Sequence, residues 1–456
     1  MSNLIKYLII IADIILFVLL LLYLPFDLKV NQGLAILIFI AILWLSEAIH
    51  VAITAILVPI LAAILGLMNT KDALKSFADP NIFLFFGGFA LAATMHFQEL
   101  DKIIARRVLN LANNKLSTSL IYIFITTAFL SMWMSNTATA AMMLPLALGI
   151  LSQIDVEKNR NIYVFTLLGI AFSASIGGIG TLIGTPPNAI VASNLNIGFS
   201  QWLKYGIPMV LIFLPLSIFV LYIVFRPNLN QKIELHVENI PMNKARYVTL
   251  AIFVFIALSW IFSSSINPYI SSWLNLSKKI ANFDSIIALM AAILVCVFKV
   301  IDWKHIQKNT DWGVLLLFGG GITLSVILKD SGASKVMADG IVWLISNTNL
   351  FVLALIVSFF IVFLTEFTSN TASAALLVPL FISIAESLNV SPLGLALIIG
   401  IGASCAFMLP VATPPNAIVF GTGYIKQSEM VRVGIILNIV CSVTIAAAAY
   451  LFWFNL

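Results

Sequence analysis

The chain has 456 residues, 61% of them hydrophobic and only 9% charged, with a mean hydropathy of +1.08. A soluble domain carries roughly 25% charged residues, so the composition excludes an ordinary water-soluble protein and indicates an integral membrane one. The formal net charge of +5 calls for no nucleic-acid partner, because cytoplasmic loops of membrane proteins are basic in any case.

Apolar segments of spanning length recur along the chain, which favours helices over the short alternating strands of a barrel. The expected class is an all-α polytopic membrane protein with no soluble domain. The first span, near 5–25, is too long for a signal-peptide core and lacks a small-residue cleavage site, so it reads as a retained helix in an N-terminal unit 1–30. Ten more spans are predicted near 33–49, 51–68, 81–112, 161–195, 203–226, 247–264, 283–300, 312–345, 391–424 and 430–454, eleven in all. Two further segments, 117–154 and 349–388, read as re-entrant hairpins, each arm being too short or barely long enough to cross. Cys296, Cys405 and Cys441 lie in apolar runs and read as inert buried thiols.

Inside this apolar sequence a set of polar motifs occurs twice. Ser135-Asn136-Thr137 and Thr185-Pro186-Pro187-Asn188 are matched by Ser369-Asn370-Thr371 and Thr413-Pro414-Pro415-Asn416. Residues 135–150 and 369–384 share nine of sixteen positions, 185–191 and 413–419 are identical, and Phe86-Gly87-Gly88 has a partner in Phe318-Gly319-Gly320. The offsets of 234, 228 and 232 residues preserve order and spacing, which implies an internal duplication: a first repeat 31–226, a polar connector 227–246 and a second repeat 247–456. With the N-terminus in the cytoplasm, sixteen Lys and Arg fall inside and eight outside, so the positive-inside rule puts the C-terminus outside. Five spans and a hairpin per repeat make an odd number of crossings, so the repeats are predicted to be inverted, with a shared site near the bilayer midplane.

A hairpin tip ends one helix and begins another. It offers free carbonyls from the first arm, and free N–H groups with a positive dipole end from the second. Asn136 and Asn370 can donate and accept, while Thr137 and Thr371 supply hydroxyls of the right reach for a carboxylate oxygen. The Thr-Pro-Pro blocks free carbonyls in the preceding turn, beside Gly184 and Ala412, and such oxygens suit a hard monovalent cation. No Lys or Arg lies within the motifs, so a bound dianion needs co-bound cations and helix N-termini for compensation. The pattern predicts a cation-coupled anion carrier.

The paired Ser-Asn-Thr motifs, together with Ala403 to Val419 (ASCAFMLPVATPPNAIV), resemble the divalent anion/sodium symporter family, carriers of dicarboxylates, citrate or sulfate. The resemblance extends over essentially the whole chain. It implies substrate contacts from Asn136, Thr137, Asn370 and Thr371, with Thr185, Pro186, Thr413 and Pro414 beside them. It implies one sodium site from Ser131, Ser135, Asn136 and Gly184, and a second from Thr365, Ser369, Asn370, Ala412 and Pro414. It further implies a homodimer with an elevator motion. The expected function is sodium-coupled symport of C4-dicarboxylates (succinate, malate, fumarate) across a plasma (inner) membrane, with at least two Na+ and no organic cofactor. A dicarboxylate exchanger, a sulfate or citrate carrier and an anion channel are the rivals. No nucleophile–base pair or metal-ligand spacing accompanies the motifs, so no enzyme is expected.

Other candidates stand outside the motifs. Glu366, three residues before Ser369, is read either as a functional intramembrane acid or as the partner of a neighbouring helix. Glu47 and His50 read as a structural or interfacial pair, and His96 as interfacial. Trp133 and Phe367 flank the tips as candidate pocket residues, while most other aromatics read as lipid-facing or packing residues.

Overall fold

A backbone in hydrocarbon must satisfy its own hydrogen bonds, and the chain does so with helices. The computed structural model describes residues 3–112, 114–233, 240–345 and 349–455. Positions 1–2, 113, 234–239, 346–348 and 456, parts of the expected N-terminal unit, first repeat, connector and second repeat, lie outside the described residues. The helices of the first half are α1 (Asn3–Tyr23), α2 (Leu28–Ser46), α3 (Val51–Ile64), α4 (Thr70–Lys75), α5 (Pro80–Phe97), α6 (Leu100–Asn110), α7 (Leu116–Ser131), α8 (Asn136–Leu151), α9 (Arg160–Gly178), α10 (Pro186–Leu195) and α11 (Phe199–Phe225). The second half holds α12 (Lys244–Ile261), α13 (Ser263–Trp273), α14 (Phe283–Val297), α15 (Trp303–Asn309), α16 (Trp312–Ser331), α17 (Ala333–Ile345), α18 (Leu350–Leu364), α19 (Asn370–Ser387), α20 (Pro392–Gly402), α21 (Pro414–Phe420) and α22 (Gln427–Leu451). Among the described residues, nine helical stretches are long and apolar enough to cross a membrane.

Four of the expected spans are interrupted. The 81–112 span breaks after α5, where Glu99 takes a left-handed conformation (φ 57°), and 312–345 breaks at Gly332 (φ 80°). The 161–195 and 391–424 spans open between Gly178 and Pro186 and between Gly402 and Pro414, because neither proline of each pair can donate to the turn before it. The hairpin arms α7, α8 and α18 are 16, 16 and 15 residues long, whereas α19 has 18 and contains Pro379.

The two halves pack reciprocally. α5 lies on α14 and α16 on α3; α8 and α9 touch α21, while α19 and α20 touch α10. The glycines of the Phe-Gly-Gly blocks allow the first of these approaches. A Cβ on Gly87 would lie 2.2 Å from the Ala288 carbonyl oxygen on α14, and one on Gly320 would lie 2.6 Å from that of Ala55 on α3. One continuous core runs through the molecule; around it α2, α3, α5, α12, α14 and α16 form one set of helices and the hairpins with α9–α11 and α20–α22 another, the two meeting where α16 and α2 touch α19 and where α5 and α16 touch α10. α17 packs on both α19 and α2.

Candidate substrate and cation site

Each Ser-Asn-Thr motif begins a helix. Ser135 caps α8 by accepting from Ala138 N (3.2 Å), and Ser369 caps α19 by accepting from Ala372 N (3.4 Å). Thr185 and Thr413 stand at the caps of α10 and α21, each followed by its Pro-Pro pair. All four helix starts line one cavity of about 1070 Å³, so four positive dipole ends face the same space. The cavity wall includes all eight residues expected at the substrate: Asn136, Thr137, Thr185, Pro186, Asn370, Thr371, Thr413 and Pro414. Of the residues expected around sodium, Ser135, Gly184, Ser369 and Ala412 also line it.

Ser131 and Thr365 lie behind the tips, fully buried, and hold equivalent positions. Ser131 Oγ is 2.6 Å from Asn136 Oδ1 and 2.7 Å from the Ala174 carbonyl oxygen. Thr365 Oγ1 is 2.5 Å from Asn370 Oδ1 and 3.0 Å from the Ala403 carbonyl oxygen. A hydroxyl has one proton and cannot fully satisfy two acceptors, so behind each tip a hydroxyl, an amide oxygen and a backbone carbonyl oxygen are crowded together. Neutral hydroxyl, amide and carbonyl oxygens of this kind fit a hard monovalent cation.

The broken segments between α9 and α10 and between α20 and α21 are held by the asparagines of the Thr-Pro-Pro-Asn motifs, a role the sequence alone did not disclose. Asn188 Nδ2 donates to the carbonyls of Gly178 (2.9 Å), Ile179 (3.3 Å) and Thr181 (2.7 Å). Asn416 Nδ2 donates to those of Ala406 and Leu409, both at 3.1 Å. The Thr181 hydroxyl donates to the Met132 carbonyl. Glu366 is buried outside the cavity wall and binds both the second segment and Asn438 of α22.

The facing wall comes chiefly from the other set of helices: Phe85, Phe89 and His96 on α5, Glu47 after α2, Lys308 on α15 and Asp311 at the cap of α16. His96 is therefore a cavity residue, its Nδ1 2.8 Å from the buried carboxylate of Asp101. Glu47 and His50 serve separate helix ends: Glu47 closes α2 in a left-handed conformation, and His50 Nδ1 accepts from Ala52 N (3.3 Å) at the start of α3. Of the two aromatics beside the tips, only Phe367 lines the cavity, 70% exposed. Trp133 instead packs against Phe199 and Phe253. At the start of α15, the His305 backbone N–H and imidazole hold the Asp302 carboxyl below the usual carboxylate range.

A polar cavity at broken helices within an all-helical membrane protein defines the architecture of a transporter, and the comparisons agree. The whole chain, residues 1–456, matches the family described as the sodium:sulfate symporter transmembrane region; the chain belongs to this family. It is 66% identical over 443 residues to an uncharacterised transporter of Haemophilus influenzae, covering 97% of this chain and 96% of that one. It is 34% identical over 470 residues to the sodium-dependent dicarboxylate transporter SdcS of Staphylococcus saprophyticus, covering 96% of this chain and 89% of the other. The fold is similar to that of the Alcanivorax borkumensis YdaH transporter (TM-score 0.60, 14% identity, 93% of this chain and 99% of that chain).

Proposed function

We propose that the protein is a sodium-coupled symporter of C4-dicarboxylates such as succinate, malate and fumarate. The observation that carries this reading is the convergence of both Ser-Asn-Thr tips and both Thr-Pro-Pro breaks on one cavity, each tip backed by a cluster of three oxygens. Two tips that each present an amide and a hydroxyl suit an anion with a carboxylate at either end. Asn136 and Thr137 bind one carboxylate and Asn370 and Thr371 the other, with Thr185, Pro186, Thr413 and Pro414 closing the sides. One sodium ion is assigned to Ser131, Ser135, Asn136 and Gly184, and a second to Thr365, Ser369, Asn370, Ala412 and Pro414. Each asparagine turns its Oδ1 toward the cation cluster and keeps its amide for the substrate, so cation and anion share a residue and bind together.

The dicarboxylate assignment draws support from the name of the Staphylococcus saprophyticus relative and from two exposed apolar residues in the cavity, Phe367 and Val411. These offer surface to a carbon skeleton and none to sulfate. We place the protein in a plasma (inner) membrane as a homodimer, with the N-terminus cytoplasmic and the two repeats inverted. The hairpin-bearing helix group moves against the other as an elevator, and the cavity between the groups is its substrate compartment. The test is uptake of radiolabelled succinate into proteoliposomes under an inward sodium gradient or a matched potassium one. Sodium-dependent accumulation that vanishes in Asn136→Ala and Asn370→Ala is expected. Equal uptake in both gradients with stimulation by internal dicarboxylate makes the protein an exchanger, and sulfate uptake without succinate uptake overturns the substrate assignment.

A further inference from the structure

The two broken segments are built on the same plan but held differently. Behind the first stands Met132, and its N–H groups bond back along the chain, Ile179 N to Ile176 O (3.1 Å) and Gly180 N to Gly177 O (2.9 Å). At the matching position in the second half stands Glu366, 234 residues on, fully buried. Its Oε1 accepts from Phe407 N (2.7 Å), Met408 N (2.9 Å) and Asn438 Nδ2 (2.7 Å), and its Oε2 from Leu409 N (3.0 Å). Both oxygens accept and neither donates, which is the pattern of a carboxylate. No ion pair among the described residues involves Glu366, and a buried charge without a countercharge is costly.

The first segment forms without an acid, so the break itself does not require one. What Glu366 adds is a negative charge on one side only, next in sequence to Thr365, whose hydroxyl belongs to the second oxygen cluster. It also orients the segment. In a trans peptide the N–H and C=O point opposite ways, so the unit that donates Phe407 N to Glu366 presents the Ala406 carbonyl to the Asn416 amide.

We propose that Glu366 is a positioning residue that makes the second cation site stronger than the first. It clamps residues 407–409 by their N–H groups, and it supplies the buried negative charge that a cation at Thr365, Asn370 and Ala403 neutralises. The second site therefore fills at lower sodium than the first. This inference rests on the cation assignments above.

The test is sodium-induced thermal stabilisation of the full-length protein in detergent without substrate, at constant ionic strength with potassium as the replacement ion. Glu366→Gln keeps the shape and removes the charge, and is expected to raise the half-effective sodium concentration at least about tenfold, the scale of one unit charge about 10 Å from a cation at an effective dielectric of about 20. Glu366→Asp, which retains the charge, stays nearer the wild type. Should Glu366→Gln fail to fold, Thr365→Val is compared with Ser131→Ala, and the Thr365 variant is expected to lose the response at low sodium while the Ser131 variant keeps it. Unchanged sodium dependence in Glu366→Gln, or equal shifts in Thr365→Val and Ser131→Ala, overturns the proposal and leaves the cation sites standing. A wild type that sodium does not stabilise overturns the cation assignments and this proposal together.

Discussion

Asn136 Oδ1 occupies the space that a side chain on Gly178 would need: a Cβ there would lie 2.5 Å from that oxygen. The last residue of α9 is thus pressed against the amide of the first residue of α8, and the Asn136 side chain keeps its orientation only while residue 178 has no side chain. Gly178→Ala is expected to turn the Asn136 amide away from Ser131 and reduce succinate uptake by about tenfold, since misplacing binding groups by about 1 Å costs up to about a hundredfold. Gly149, on the same hairpin, has nothing within 4 Å of its Cβ position. Gly149→Ala is expected to retain uptake and to gain up to about 1 kcal/mol of stability from helix propensity. Equal uptake by the two variants would refute the steric argument.

The paired asparagines of the Thr-Pro-Pro-Asn motifs hold carbonyls of the broken segments that precede the prolines, so their substitution is felt through those segments. Asn188→Leu removes the amide that meets the Gly178, Ile179 and Thr181 carbonyls. Ile179 keeps the Trp202 indole N–H and Thr181 the Gly184 N–H, so the loss falls chiefly on the Gly178 carbonyl, and a buried carbonyl without a partner costs about 1–3 kcal/mol. A lower unfolding temperature in detergent is expected for Asn188→Leu, and a fall of the same sign for Asn416→Leu. No change in either would show that water replaces the amide.

These two motifs mark how far the sequence could be read. The tips and proline breaks stood out because Asn, Thr and Pro are costly in hydrocarbon unless buried in protein or facing a cavity, and because each occurs twice. The facing wall carried no such signal. Phe85, Phe89 and Lys308 become neighbours of the motifs only through packing between distant helices. The breaks at Glu99 and Gly332 were missed for another reason: helix-forming sequence continues beyond both, amphipathic after Glu99 and mostly apolar after Gly332, and no periodicity reports a single left-handed residue. Glu366 was conspicuous as an intramembrane acid, but its partner Asn438 lies 72 residues away on α22, a separation that no local pattern encodes.

Trp133 and Phe367 occupy matching sites beside the two tips yet differ in environment. Trp133 lies within an aromatic cluster, 6.1 Å from Phe199 and 5.2 Å from Phe253 between ring centroids, whereas Phe367 is 70% exposed in the cavity. Trp133→Ala is expected to cost up to about 3 kcal/mol, the low end of the range for deleting a core aromatic, because Trp133 is only partly buried. Phe367→Ala is expected to stay within about 0.5 kcal/mol of wild type, as for an exposed position. If Phe367 serves the substrate, its truncation instead weakens succinate binding and leaves sulfate competition unchanged. Thermal unfolding and competition uptake separate the two effects.

The cavity's facing wall also predicts from which side the site is reached. Glu47, His96, Lys308 and Asp311 all line it, and in the proposed orientation those helix ends are cytoplasmic. Under that orientation the cavity is expected to be reached from the cytoplasm. Val411 lines the same cavity and is 83% exposed, so a cysteine there is a reporter that perturbs no buried contact. In a background lacking Cys296, Cys405 and Cys441, Val411→Cys is expected to react with a membrane-impermeant maleimide in inside-out vesicles and to be protected in right-side-out ones. Saturating sodium and succinate should slow the labelling, because a bound dianion covers the space beside Thr413 and Pro414. Labelling from the outside alone would reverse the orientation, and labelling insensitive to sodium and succinate would place the substrate elsewhere than between the two tips.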